Sequence, residues 1–381
     1  MFASAFLAAA DRPLSPGFEH FYNLEYTESI SSFRAEVAAQ PNSPDSWNHL
    51  AQALLYSEMF KAGALESELV SGSNPFVRRE KMNPSPEVAK QFDDCLNKAL
   101  QLTEDRLSKN PKDVASLYSS GVAYGLRANY NYLVRKAWMD ALKDATNARK
   151  MHNRIIEVDP SFVDARLVQG VHDYLVGSLP WHTKMLGFLA GFRGDRQEGL
   201  RNLKLVSEEG NLAKYDAKVL LAAIYRRERR PLEALPLLES VSQRFPRNYL
   251  FKLEMVQMYS DAGNKQAALT ILDRVESLKK SNAPGASLPF EKIWFYRGNL
   301  LFWYRDYDGA IECLRRVTPD TSALDLHTAV VTWMRLGQSF DAKGKRKEAL
   351  EAYRQAIKTG PQTDAAKESQ NYIGSPWKRL T

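Results

Sequence analysis

The stretch "WMRLGQSFDAKGKRKEALEAYRQAIKTGP", residues 333–361, constrains the fold of this chain more than any other. Trp333, Leu336, Gly337 and Phe340 recur at helical spacing, and Ala349, Tyr353 and Ala356 do the same beyond the polar turn "AKGKRK". Two antiparallel helices of about three turns each must touch along one seam, so each needs a small residue where the backbones approach. Gly337 and Ala349 fill that role. Large side chains fill the layer to the next pair, and Pro361 closes the unit.

The same phase recurs towards the N-terminus, with Gly298 and Ala310, Val256 and Ala268, Ala222 and Ala234, Gly170 and Gly199, Gly121 and Ala148, and Ala51 and Ala99 at the paired sites. Only Val256 breaks the small-residue rule. Before them, "NLEYTESISSFRAEVAAQP" reads as a lone second helix with Ser29 at the small site, Phe33 behind it and Pro41 closing. On these residues the chain resembles tetratricopeptide-repeat proteins over roughly residues 18–363. The resemblance implies an all-α fold, a right-handed solenoid of helical hairpins with insertions between or within repeats. Repeat starts fall near 44, 114, 163, 215, 249, 291 and 330, and only the step from 215 to 249 has the ideal length of about 34 residues. The expected organisation is a half repeat or cap over 11–43, repeats with long insertions over 44–214, four regular repeats over 215–363, and a capping helix with a tail over 364–381.

The swollen repeats locate the insertions. "SEMFKAGALESELVSGSNPFVRREKMNPSP" has the Gly, Ser, Asn and Pro content of a loop with one short helical turn. "ANYNYLVRKAWMDALKDATNARKMHNRIIEVDP" has no Gly or Pro before Pro160 and is expected as an uninterrupted, lengthened helix. "KKSNAPGASLP" is a plain polar loop. In "SLPWHTKMLGFLAGFRGDRQEGL", residues 178–200, Trp181, Met185, Phe188 and Leu189 form one apolar face of a short helix too short to span a bilayer. Packing on the solenoid is the first reading of that helix, and docking on a membrane surface is the second. Residues 170–205 are also similar to part of a mitochondrial outer-membrane family that includes tetratricopeptide repeat protein 39. That likeness implies the insertion only, because the N-terminus lacks the Arg-rich, amphipathic character of a transit peptide.

Composition narrows the function classes. The formal net charge is +7, and the densest basic spots, "RRERR" (226–230) and "KGKRK" (343–347), are separated by "DAGNK" and "YRDYD", so no basic stripe forms and nucleic acid is not an expected partner. Cys95 and Cys313 stand alone, which gives neither a disulfide framework nor a zinc ligand set. None of the six histidines stands in a metal-binding or nucleophile motif, and no phosphate-binding Gly loop occurs, so no cofactor, metal, small-molecule substrate or enzymatic activity is expected. The apolar run ending in Ala8-Ala9-Ala10 reads either as the end of a secretory signal over 1–10 without its basic start, or as the start of a first helix. On the first reading the mature chain begins near Asp11 in a bacterial envelope compartment such as the periplasm. On the second it is cytoplasmic.

What remains is recognition. In tetratricopeptide solenoids the second, fifth, ninth and twelfth positions of each first helix face the concave groove. Here these include Tyr118, Tyr174, Arg226, Gln257, Phe295, Asn299, Phe302 and Gln338, with about half of such residues expected to pack on the next repeat instead. Amides that pair with an extended backbone, beside aromatics that cover its side chains, suit a protein or peptide partner. The cationic carboxylate clamp of the chaperone-binding members is missing, since Asn48 and Gln52 take the fifth and ninth positions of the first repeat without cations. The expected function is a non-enzymatic scaffold or adaptor. A membrane-surface assembly factor docking through residues 178–193 comes second, and an enzyme third.

Overall fold

A computed structural model describes residues 14–65, 81–178, 193–282 and 288–379. Among these, every regular element is a helix. The chain divides into two compact units, residues 1–221 and 222–381.

Unit 1 runs through α1 (Pro16–Tyr22), α2 (Tyr26–Ala39), α3 (Pro44–Lys61), α4 (Pro86–Lys109), α5 (Val114–Tyr130), α6 (Trp138–Val158), α7 (Arg166–Gly177) and α8 (Arg196–Glu209), and the division falls in α9 (Lys214–Arg227). From α1 to α8 each helix packs on the next, and α3 also packs on α5, the alternation expected of stacked hairpins. Pro16, Pro44 and Pro86 open their helices, where proline's fixed φ suits the first turn and its missing N–H leaves no bond unmade.

Unit 2 contains α10 (Pro231–Arg244), α11 (Tyr249–Asp261), α12 (Lys265–Lys280), α13 (Phe290–Trp303), α14 (Tyr307–Val317), α15 (Leu326–Ala342), α16 (Arg346–Thr359) and α17 (Asp364–Gly374). Neighbours pack in sequence, and α11 on α13, α13 on α15 and α15 on α17 supply the second layer of contacts. Side chains of Asn248, Asn264, Asp306, Asp325 and Thr363 accept from first-turn amides, which fixes where α11, α12, α14, α15 and α17 begin.

The seam residues behave as the repeat phase requires. Ala51, Ala99, Ala234, Ala268, Ala310, Ala349 and Ser29 have no exposed surface. A Cβ on Gly337 would stand 2.6 Å from the Tyr353 ring, and one on Gly298 would stand 2.8 Å from Leu314. At Gly199 the obstacle is backbone: a Cβ would run into the Tyr174 amide and lie 2.7 Å from the Gly170 carbonyl oxygen. Val256 is 2% exposed, so α11 accommodates the one large seam residue inside the core.

One expectation fails. The helix over 128–160 is interrupted, because α5 ends at Tyr130, a π-turn covers Asn131–Arg135, and Lys136 takes a left-handed φ of 54° before α6 starts. No Gly or Pro marks the break. The Ala137 N–H closes the turn on the Asn131 carbonyl at 2.9 Å, and a bond across the hairpin that the local sequence does not announce holds it: the Asn131 side chain donates to Asp144 at 3.0 Å. Asp144 also takes two bonds from Arg127, at 2.7 and 2.9 Å, so the turn is tied into the α5/α6 hairpin. In the first insertion α3 continues to Lys61, beyond the expected loop start at Ser57. Trp181, Met185, Phe188 and Leu189 lie outside the described residues, as do residues 1–10.

Candidate functional site

In unit 1 the first helix meets the start of α9. Tyr22, the last residue of α1, donates its phenol to Asp216 Oδ1 at 3.0 Å, and its ring lies 5.7 Å from that of Tyr215. Tyr56 of α3 reaches the same place, its ring tilted 4.9 Å from Phe21. Tyr118 of α5 lies beside it, set against His152 at 5.4 Å and Phe162 at 5.3 Å. Tyr56, Tyr118 and Asp216 each keep some surface, yet protein encloses them densely. The surface is therefore recessed, a hollow in the unit rather than a closed core.

Its electrostatics are those of an acidic hollow. Burial pushes the Asp216 carboxyl up to about 6; the Tyr22 hydrogen bond works against this and the nearby Asp164 charge adds to it. Burial, together with the Asp216 charge, holds the Tyr22, Tyr56 and Tyr118 phenols well above their ordinary range, so they act as neutral donors at any ordinary pH. Asp164 is already satisfied, since its carboxylate accepts from the backbone N–H groups of Asn211, Leu212 and Ala213 at 2.8–3.2 Å. Asp45 stands exposed at the rim, accepting from Ser119 Oγ. Asn48 is 1% exposed; its Nδ2 donates to the Ser119 carbonyl at 2.8 Å and its Oδ1 meets no donor. Among the described residues no Lys or Arg is ion-paired with Asp216. The hollow thus offers hydrogen-bond acceptors and aromatic faces, which suit a cation or a multiple donor.

Of the groove residues expected from the sequence, Tyr118 lines this hollow. Tyr174 is 3% exposed and Phe295, Phe302 and Gln338 are each 1% exposed, so these four pack between helices and do not line an open wall. Their positions face a neighbouring first helix closely enough to be covered by it, as the α13–α15 packing shows for Phe295, Phe302 and Gln338. The others are half-buried and engaged within unit 2. Arg226 pairs with Glu254 at 2.9 Å, Gln257 donates to Asp261 at 2.8 Å, and Asn299 accepts from Arg335 Nε at 3.1 Å. Arg335, absent from the expected set, also donates to Gln338 at 2.7 Å and lies over Phe302 and Trp303. The basic spots are partly neutralised too, with Arg230 bonded to Glu228 and Glu233, and Lys343 to Asp308 at 2.8 Å.

Asp45, Asp164 and Asp216 were missed although the signal was there. Counted from repeat starts at 44, 163 and 215, each is the second position of its repeat. Tyr22 lies in α1, before any repeat phase begins, and Tyr56 falls just past the twelfth position, so neither carried a signal. Among the described residues no group of three His, Cys, Asp or Glu could hold a metal ion, and no helix is long and apolar enough to cross a membrane.

Two family models, each described as "Tetratricopeptide repeat", match residues 214–288 and 330–363. No curated protein matches the chain in sequence. Solved structures similar to it include the human IFIT1 dimer with m7Gppp-AAAA, at 15% identity and a TM-score of 0.45, covering 95% of this chain and 81% of that one. Yeast Tom70 follows at 11% identity and 0.42, covering 95% and 88%. A tetratricopeptide repeat protein from Parabacteroides merdae ATCC 43184 shares 11% identity at 0.34, covering 83% and 95%. The matched models make residues 214–288 and 330–363 tetratricopeptide repeats, and the described helices outside them stack as hairpins of the same all-α kind.

Proposed function

We propose that the chain is a non-enzymatic scaffold whose unit 1 hollow receives a basic side chain, Lys or Arg, presented by a protein partner. The observation that carries this reading is Asp216, a recessed carboxylate with one phenol as its hydrogen-bond partner and two further tyrosines close by. A guanidinium or ammonium entering there gains a charge-assisted bond to Asp216 and stacks on tyrosine faces. A phosphate backbone meets three aspartates instead, so the same geometry favours a basic polypeptide over nucleic acid. The compartment we propose is a bacterial envelope space, on the strength of the apolar run ending in Ala8-Ala9-Ala10.

The test is a peptide array probed with the purified full chain and with Asp216→Asn. Bound peptides should be enriched in Lys or Arg, and Asp216→Asn should weaken them by about 10-fold or more, the loss typical of a buried charged contact. Binding without basic preference, or unaffected by Asp216→Asn, removes the hollow from the proposal.

A further inference from the structure

The segment that follows α17 lies back on unit 2. Arg346 donates to the Tyr372 and Ile373 carbonyls at 2.7 and 2.8 Å, which fixes the end of α17 and the point where residues 375–379 depart. Of these five residues only Trp377 is other than exposed. Its indole sits 5.2 Å from the Phe302 ring and 6.5 Å from the Tyr307 ring, at the turn between α13 and α14. Its backbone N–H donates at 2.8 Å to Asp341, a carboxylate already held by Arg346 at 3.0 Å and by the Tyr353 hydroxyl at 2.9 Å. Two residues on, Arg379 donates at 2.9 Å to the carbonyl of Trp303, the last residue of α13, with its guanidinium 5.9 Å from the Trp303 ring.

These contacts describe a receptor surface with three features: an aromatic slot, a fixed carboxylate for the anchor's backbone N–H, and a helix C-terminus that attracts a cation. They read out an aromatic residue followed two positions later by Arg, and ignore what lies between, since Lys378 is exposed. Trp377–Arg379 is lightly held, by one half-buried side chain and two hydrogen bonds to unit 2. Trp303, beside the slot, is 43% exposed even with the segment in place.

We infer that this face of unit 2 is a docking site for an aromatic-x-Arg segment of a protein partner, and that the chain's own Trp377–Arg379 occupies it until the partner displaces it. The inference is independent of the unit 1 hollow. A tethered occupant acts at an effective concentration of order mM, so it masks the site from weak competitors and yields to a partner that binds more tightly or at several points. The site is therefore closed to chance peptides and open to a partner already engaged elsewhere on the chain.

The test is fluorescence anisotropy of a labelled Ser-Pro-Trp-Lys-Arg peptide titrated with the full chain. A Trp377→Ala/Arg379→Ala double variant should bind it at least about 10-fold more tightly than the unmodified chain, because the tethered competitor is gone. Adding Tyr307→Ser to that variant should reverse the gain, and a peptide with Ala for Trp should not bind. Arg379→Ala alone, which leaves the core untouched, serves as the second variant and should bind about 2- to 5-fold more tightly than the unmodified chain, since it weakens the occupant by one exposed charged contact. Equal binding by all chains, no saturable binding by either variant up to about 1 mM peptide with helicity retained, or a gain insensitive to Tyr307→Ser would overturn the inference.

Discussion

Replacing Asp216 by Asn should stabilise unit 1 at neutral pH while disabling its hollow. The carboxyl has a pKa of about 6 in the folded chain and about 3.9 when unfolded. A raised carboxylate pKa means that the folded state binds the proton more tightly, so stability falls as pH rises through the interval between the two values. Above both values the ionised group costs about 3 kcal/mol, at about 1.4 kcal/mol per pH unit of separation. At pH 4.5 the cost is only about 1 kcal/mol, because the folded carboxyl is still protonated. Asn keeps the size and can still accept from the Tyr22 hydroxyl, so the variant loses the charge and little else. Its melting temperature should exceed the parent's by about 6–12 °C at pH 7.5 for a unit of this size, and by much less at pH 4.5. Comparing variant with parent at each pH cancels other titrations. A variant less stable than the parent at pH 7.5, or a difference that does not shrink on acidification, would refute the picture of a recessed carboxylate with no cation beside it. A gain in stability with a loss of peptide binding is what a strained functional residue should give.

Gly199→Ala should cost more than Gly337→Ala in urea denaturation, on the order of 3 against 1–2 kcal/mol, because its Cβ meets backbone at Tyr174 and Gly170 whereas the Tyr353 ring can shift. His152 is buried and neutral, with burial lowering its pKa to about 4; a lowered histidine pKa means stability is lost as pH falls from about 6.5 towards 4, and His152→Gln should flatten that part of the pH–stability curve. Asp144→Ala should destabilise unit 1 by about 3 kcal/mol, since it strands Arg127 and frees the Asn131 turn, with faster amide exchange at residues 131–137 as the local readout.

Much of the fold could be read in the residues, because a solenoid writes its architecture locally. Small residues at Gly337, Ala349, Gly298 and Ala310 report helix contact within one hairpin, and α13, α14, α15 and α16 follow from them. The break at Lys136 could not be read, since it depends on Asp144 reaching back across the hairpin and not on a Gly or Pro. The groove was half legible for a similar reason. Position along a first helix says which way a side chain faces, but whether the next helix covers it depends on the size of the residues between, and Phe295 and Phe302 are large enough to be captured. Asp216 illustrates the converse. Its phase was visible, but its isolation from any cation arises from chain closure by Tyr22, which no repeat pattern encodes.

That closure changes the thermodynamic character of unit 1. An open repeat array behaves as a one-dimensional lattice, in which each hairpin answers to its neighbours and ends fray independently. The bond from Tyr22 to Asp216 joins positions 194 residues apart and makes the lattice a ring. A ring has no free end. Damage to α1 should propagate to α9 without passing through the hairpins between them, and the entropy of closing so long a loop is recovered only when every intervening hairpin is in register. Unit 1 should therefore unfold as a single cooperative block, where a chain of equal length without that bond would melt from its tip.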